Sequence, residues 1–375
     1  MKTVSEILLD LVAIPSVSPA DNAPVVDYIT ACLDPAHWNV ARHPHRDPAG
    51  TAKTNLVAVT RNGAGPAAEL ALVCHMDTVP FDAGWNEAVQ PAERDGRIYG
   101  RGSCDVKGYL ACILAAVQSV DSRALRKPLA LVFTADEEVG CIGAKHLAAA
   151  GAFTSRHMII GEPTSMQPVR AGKGYALATI VVKGKEGHSA FPSEGHSAIY
   201  DAARIVTALE EIAKTVEADR NEDFAPPYTT LNVGLISGGT AKNIVPGECR
   251  ITVEWRPIPG QDPEWVARLI RDALTRLHDA FPGFDAEFAV LRNDPAFAPS
   301  KTDALVDWLS TVTGNRPGTI SFGSEAAHLR ALSGEIVVLG PGSMSVAHQT
   351  GEFVPIAELQ QCVALLKDAI SRFCA

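Results

Sequence analysis

Short apolar runs of strand length, at 55–60, 70–74, 129–133 and 158–160, are separated by stretches with helical spacing at about 5–13, 106–120 and 143–150. Such runs lack the polar/apolar alternation of a half-exposed strand, so the strands must be covered on both faces. The pattern predicts an α/β fold: a mostly parallel sheet flanked by helices. In such open sheets ligands bind beyond the carboxyl ends of the strands.

Those ends carry the chemistry. The run 70–74 leads into His75-Met76-Asp77-Thr78-Val79-Pro80, 129–133 into Asp136-Glu137-Glu138, and 158–160 into Gly161-Glu162-Pro163-Thr164. Asp105, in Gly100-Arg101-Gly102-Ser103-Cys104-Asp105, precedes the helix near 106–120, and His348 follows a later strand at 336–339 and the turn Gly340-Pro341-Gly342. Each has a plain structural reading: a polar turn, a helix N-cap, an acidic first helical turn, a proline turn. Together they place imidazole and carboxylate groups along one sheet edge, a donor set suited to Zn²⁺, Co²⁺ or Mn²⁺. One His with three or four carboxylates exceeds the needs of a single ion, and His348 supplies a second imidazole. Asp77 can fix the tautomer of His75.

The middle of the chain reads differently. Strands at 175–183, 229–236, 249–255 and 285–290 and helices at 197–216 and 263–280 give the order β-α-β-β-α-β, a ferredoxin-like unit. It interrupts an α/β pattern that resumes near residue 304, so the larger domain is expected at 1–173 and 292–375, and the insert at 174–291. A chain of 375 residues accommodates two domains.

A net charge of −10 argues against nucleic acid as a partner. No run approaches the roughly 20 apolar residues of a membrane helix. Thr3-Val4-Ser5-Glu6 reads as a capping box rather than part of a targeting segment. The eight cysteines form no C-x-x-C pair and read as reduced thiols of a cytoplasmic protein. A serine hydrolase would need a G-x-S-x-G elbow, which is absent.

In this order, His75 to Pro80, Gly100 to Gly108, Asp136-Glu137-Glu138 and Gly161-Glu162-Pro163 resemble the zinc aminoacylase and carboxypeptidase family that includes acetylornithine deacetylases and succinyl-diaminopimelate desuccinylases. The resemblance spans essentially the whole chain. Within that family Pro168-Val169-Arg170, Thr230 to Gly234, Arg256 to Gly260 and Leu339 to Ser343 resemble the acetylornithine deacetylases most. The resemblance implies a zinc-exopeptidase-like fold whose insert is a lid and dimerisation domain. It implies two divalent metals, zinc first, cobalt or manganese otherwise, roughly 3.5–4 Å apart. Asp105 would bridge them, with His75 and Glu162 on one and Glu138 and His348 on the other. Glu137 would be the general acid/base, Asp77 the support of His75, and His188 an oxyanion donor reaching across a homodimer. Arg256 would grip the substrate carboxylate, with Asn243, Ser324 and Glu325 around the substrate. Glu162, rather than Asp, favours N-acyl cleavage. The expected substrate is a small N-acyl amino acid, N-acetylornithine first. A desuccinylase, an acetylcitrulline deacetylase, a dipeptidase or carboxypeptidase, and a non-catalytic metal-binding protein are the alternatives. Residues 83–93 lack the Pro-Phe usual in relatives and carry Trp85 and Asn86 instead, which leaves the pocket rim open.

Overall fold

The structure, a computed structural model, describes residues 1–63, 65–118, 120–300 and 302–375. It divides into two compact units: Met1–Arg170, Pro299–Gly318 and Ser324–Ala375 form the larger, Ala171–Ala298 and Thr319–Gly323 the smaller. The smaller unit is wider than 174–291 because pairing carries it further. Its last strand runs to Asp294, opposite Tyr175, and Gly172 bridges Phe297.

In the larger unit four strands, Leu129–Thr134, Ala67–His75, Thr154–Ile160 and Ser333–Val338, lie side by side in that order, all parallel. Every residue of Leu129–Thr134 is buried, the mark of a strand covered on both faces. Ala52–Thr60 adds antiparallel beside it, and Trp38–Arg46 adds antiparallel beyond. The helices Val4–Ala13, Lys107–Val117 and Ile356–Cys374 pack together, and Leu8, Leu11, Leu72, Leu110, Phe133 and Leu366 belong to one apolar core. Burying each such side chain contributes about 1.5–3 kcal/mol. Thr3 caps the first helix in a complete capping box with Glu6.

The smaller unit is a four-stranded antiparallel sheet in the order Thr230–Gly238, Glu248–Arg256, Tyr175–Lys183, Asp285–Asp294. Tyr175–Lys183 alternates half-buried and buried positions. Ile180, Ile251 and Trp255 share a core with Ile205 and Leu209 of helix Ala198–Val216 and with Ile270 of helix Trp265–Ala280. This is the ferredoxin-like order expected from the sequence. Among the described residues no helix is long and apolar enough to cross a membrane.

Candidate active site

Parallel pairing brings the chemistry to one edge. His75 ends its strand opposite Thr134, and Val73 lies opposite Ile160. Strands that share direction and register end together, so His75, the Asp136–Glu138 turn and Glu162 emerge side by side. The plain readings of the acids do not hold. Helix Lys107–Val117 is capped at Val106 with no side-chain cap bond, so Asp105 is not spent on capping. Helix Ile142–Ala150 starts after Cys141 and has no acid in its first turn.

Two groups of donor atoms result, each with all its atoms within 4.8 Å of one another: His75, Asp105 and Glu162, and Asp105, Glu138 and His348. Asp105 is common to both. His75 Nε2 lies 3.3 Å from Asp105 Oδ1, and His348 Nε2 lies 3.1 Å from both Asp105 Oδ2 and Glu138 Oε1. Asp105 Oδ1 is buried without a hydrogen-bond donor. These are the five residues for which the resemblance implies metal ligation.

The charges in this cluster are out of balance. The hydrogen bonds that His348 makes to the carboxylates of Asp105 and Glu138 push it up to about 10. Burial works against charge on His75, yet Asp105 and Asp77 raise it well above its usual range. Burial, with Asp105 and Glu137 beside it, raises Glu162 well above the carboxylate range. Burial also raises Glu138 against the pull of His348. Carboxylates crowded this way and imidazoles forced to hold protons are what a cation would relieve, so the donor set fits divalent metal.

Around the donors runs a set of hydrogen bonds. The His75 Nδ1–H meets the carbonyl of Asp77 at 3.0 Å, while the Asp77 carboxylate stands 3.6 Å away. Asp77 thus orients His75 mainly through its backbone. Its carboxylate instead accepts from the N–H groups of Glu137 (3.0 Å) and Glu138 (3.2 Å) and from the Ser18 hydroxyl (2.7 Å). Burial pushes Asp77 up, but His75 and these donors outweigh it and hold it low.

Sequence reasoning did not find Glu352, which is 1% exposed. It accepts from the N–H groups of Cys104 (2.9 Å) and Asp105 (3.0 Å) and pairs with Arg101 at 2.6 Å. Its signal was its place four residues after His348, with Arg101 in the Gly100-Arg101-Gly102 segment. Nor did it find Lys53, whose ammonium lies 2.8 Å from Asp136 and donates to the carbonyl of Ala20. No sequence signal marked Ser18.

Glu137 sits among Glu138, Asp77 and His75, and burial lifts its carboxyl to about 7. Glu325 is 1% exposed, with neither oxygen hydrogen-bonded, and burial lifts it to about 8. It is no solvated loop acid: it feels the charges of His75 and Glu137.

Residues 71–372 match the family model for peptidase family M20/M25/M40. The chain belongs to that family. The M20 chain is 48% identical over 368 residues to an acetylornithine deacetylase of Myxococcus xanthus, covering 98% of this chain and 96% of the relative. It is 32% identical over 383 residues to an acetylornithine deacetylase of Proteus mirabilis (strain HI4320), covering 100% and 97%. Its fold is similar to that of a tripeptidase from Staphylococcus aureus, with a TM-score of 0.78 at 24% identity over 99% of this chain and 97% of that one.

Three residues implied by the resemblance lie on the smaller unit of the M20 chain. His188 and Asn243 are neighbours: His188 pairs with Ile244, and the Asn243 carbonyl accepts from Ser189 N–H. Both side chains are exposed. His188 Nδ1 accepts from the Ala190 N–H at 3.0 Å, so the ring proton resides on Nε2. Arg256 ends strand Glu248–Arg256, with its guanidinium 4.9 Å from the Tyr175 ring and 3.8 Å from Glu254. Ser324, on the larger unit, is buried next to Glu325.

Proposed function

We propose that this chain hydrolyses the amide bond of N-acyl amino acids, with N-acetylornithine, cleaved to ornithine and acetate, as the substrate. The observation that carries the reading is the pair of donor groups sharing Asp105 with Glu137 beside them. The substrate follows from the 48% identity to an acetylornithine deacetylase across nearly the full length of both chains.

Divalent ions held by His75, Asp105, Glu162, Glu138 and His348, zinc first and cobalt or manganese otherwise, would supply Lewis acidity toward the amide carbonyl and ease deprotonation of water. The protein's own residues handle protons and substrate. Glu137, with its carboxyl lifted to about 7, takes a proton from the attacking water near neutral pH and returns it to the leaving nitrogen. His75 is fixed for ligation by the Asp77 carbonyl. His188, with its proton on Nε2, is the donor for the developing oxyanion. Arg256 holds the substrate carboxylate and Asn243 contacts the substrate. Glu325, a buried carboxyl lifted to about 8 that ionises when a cation sits beside it, is the counter-charge for the ornithine ammonium, with Ser324 beside it.

The functional unit in this reading is a homodimer formed through the smaller domain, with His188 acting on the neighbouring subunit. The exposed Leu235 and Ile236, on the edge strand Thr230–Gly238, support it. The eight free cysteines fit a reducing, cytoplasmic setting.

The test is a rate comparison, on metal-reconstituted protein, of N-acetylornithine with N-acetylcitrulline, N-succinyl-diaminopimelate and dipeptides. Highest kcat/KM on N-acetylornithine is the expected outcome. A dipeptide turned over faster would overturn the substrate, and no turnover of any amide would overturn the enzyme reading.

A further inference from the structure

We infer that the Cys141 thiol is the positioning residue of Glu137, an inference that rests on reading Glu137 as the proton carrier. Cys141 Sγ lies 3.2 Å from Glu137 Oε1, and the thiol donates to the carboxylate. A thiol is a weak donor to a neutral oxygen, but an ionised acceptor strengthens the bond.

The backbone sets this contact. Gly140 N–H and Cys141 N–H both donate to the Glu137 carbonyl at 2.9 Å, and Ile142 N–H donates to the Asp136 carbonyl at 3.0 Å. The residues from Asp136 to Cys141 therefore close into one turn that carries the thiol back over the Glu137 side chain. The turn needs left-handed backbone at Asp136 (φ 58°) and at Cys141 (φ 51°). Glycine occupies such a position without strain, and cysteine does not. Nor does Cys141 serve as a side-chain cap for the helix it precedes, since it makes no cap hydrogen bond. The left-handed backbone at Cys141 thus holds a 1%-exposed side chain with its thiol on the Glu137 carboxylate.

With Oε1 engaged, the carboxylate is restrained to one orientation, and Oε2 is left to exchange protons. Loss of the thiol frees the side chain to turn. The substrate and metal contacts, made by other residues, stay as they are.

The experiment compares Cys141→Ser, Cys141→Ala and Cys141→Gly in metal-loaded protein by kcat, KM, bound metal and Tm. Cys141→Ala and Cys141→Gly should lower kcat about tenfold, the scale of one lost charge-assisted hydrogen bond. KM and metal content should hold. Cys141→Ser, which keeps a donor, should recover part of the loss. Cys141→Gly should melt above Cys141→Ala because it relieves the backbone, yet be no faster; a packing role would instead make rate follow stability. In a Glu137→Ala background, Cys141→Ala should leave the residual rate unchanged. Wild-type kcat in the glycine variant, or an undiminished effect without Glu137, would overturn the inference. Full turnover by Glu137→Ala alone would instead remove the proton-carrier reading on which it rests. If Cys141→Ala does not fold, the serine and glycine variants make the same comparison.

Discussion

Asp77→Ala tests the wiring of the site more directly than removal of any ligand. The Asp77 carboxylate receives two backbone N–H groups, from Glu137 and Glu138, and the Ser18 hydroxyl, and it is 3% exposed. Ser18 has a second acceptor, the Thr78 carbonyl at 3.4 Å, so its loss is small. The two N–H groups have no such alternative, and a buried unsatisfied donor costs about 1–3 kcal/mol. Against this, removing one carboxylate relieves repulsion on Glu137, which Asp77 helps to raise. A net loss of about 3 kcal/mol corresponds to a Tm lower by about 6–12 °C in a domain of this size. Catalysis should suffer more than stability. The same two N–H groups place Glu137 and Glu138, the general base and a metal ligand of the proposed function, and a misplacement of about 1 Å can cost about a hundredfold in rate. Asp77→Asn keeps one acceptor oxygen and should fall between the two. Differential scanning calorimetry and steady-state rates on reconstituted protein give both numbers. An Asp77→Ala protein with wild-type kcat and Tm would refute the idea that this carboxylate holds the Glu137–Glu138 turn.

Glu137→Ala should retain its metals by elemental analysis and lose nearly all turnover, because none of the ligand atoms belongs to it. Glu352→Ala should leave the N–H groups of Cys104 and Asp105 and the buried Arg101 without their acceptor, lowering metal occupancy and, by about 3–5 kcal/mol for the broken ion pair, stability. Gly161→Ala should lose both stability and metal, since a Cβ there would lie 2.0 Å from the Tyr109 ring, next to Glu162; Tm and metal content read this out. In the metal-free protein His348, Glu137 and Glu325 all titrate above their usual values. Raised groups stabilise the fold below their unfolded pKa and lose that contribution as pH rises through about 7 to 10, so the metal-free Tm should fall from about pH 6 to 10 while the metal-loaded Tm stays flatter.

Much of the fold could be read in advance because burial on both faces leaves an unmistakable apolar run. Leu129–Thr134 and Ala67–His75 need no partner information to be recognised, and Tyr175–Lys183 shows the opposite case, a half-covered strand with clean alternation. Trp38–Arg46 escaped detection because an edge strand tolerates Arg42, Pro44 and Arg46, so it shows no apolar run although Trp38 reaches the core. The donor cluster was legible for a related reason. His75, Glu138 and Glu162 stand at or just beyond strand ends, and parallel register converts that one-dimensional position into proximity.

What register does not convey is which backbone groups a carboxylate will receive. Asp77 was expected to hold His75 with its side chain; instead its carbonyl does so, and its side chain ties the end of one strand to the turn after the next. Glu352 repeats the arrangement from a distant part of the chain, clamping the backbone on which Asp105 rides. Both acids accept from main-chain N–H groups, which every residue but proline possesses, so no residue type records the partner. The sequence pattern therefore marked Asp77 and passed over Glu352, while the function of each is decided by which loop brings N–H groups to about 3 Å. That is why replacing Asp77 or Glu352, neither of them a predicted ligand, should disturb metal binding as surely as replacing a ligand does.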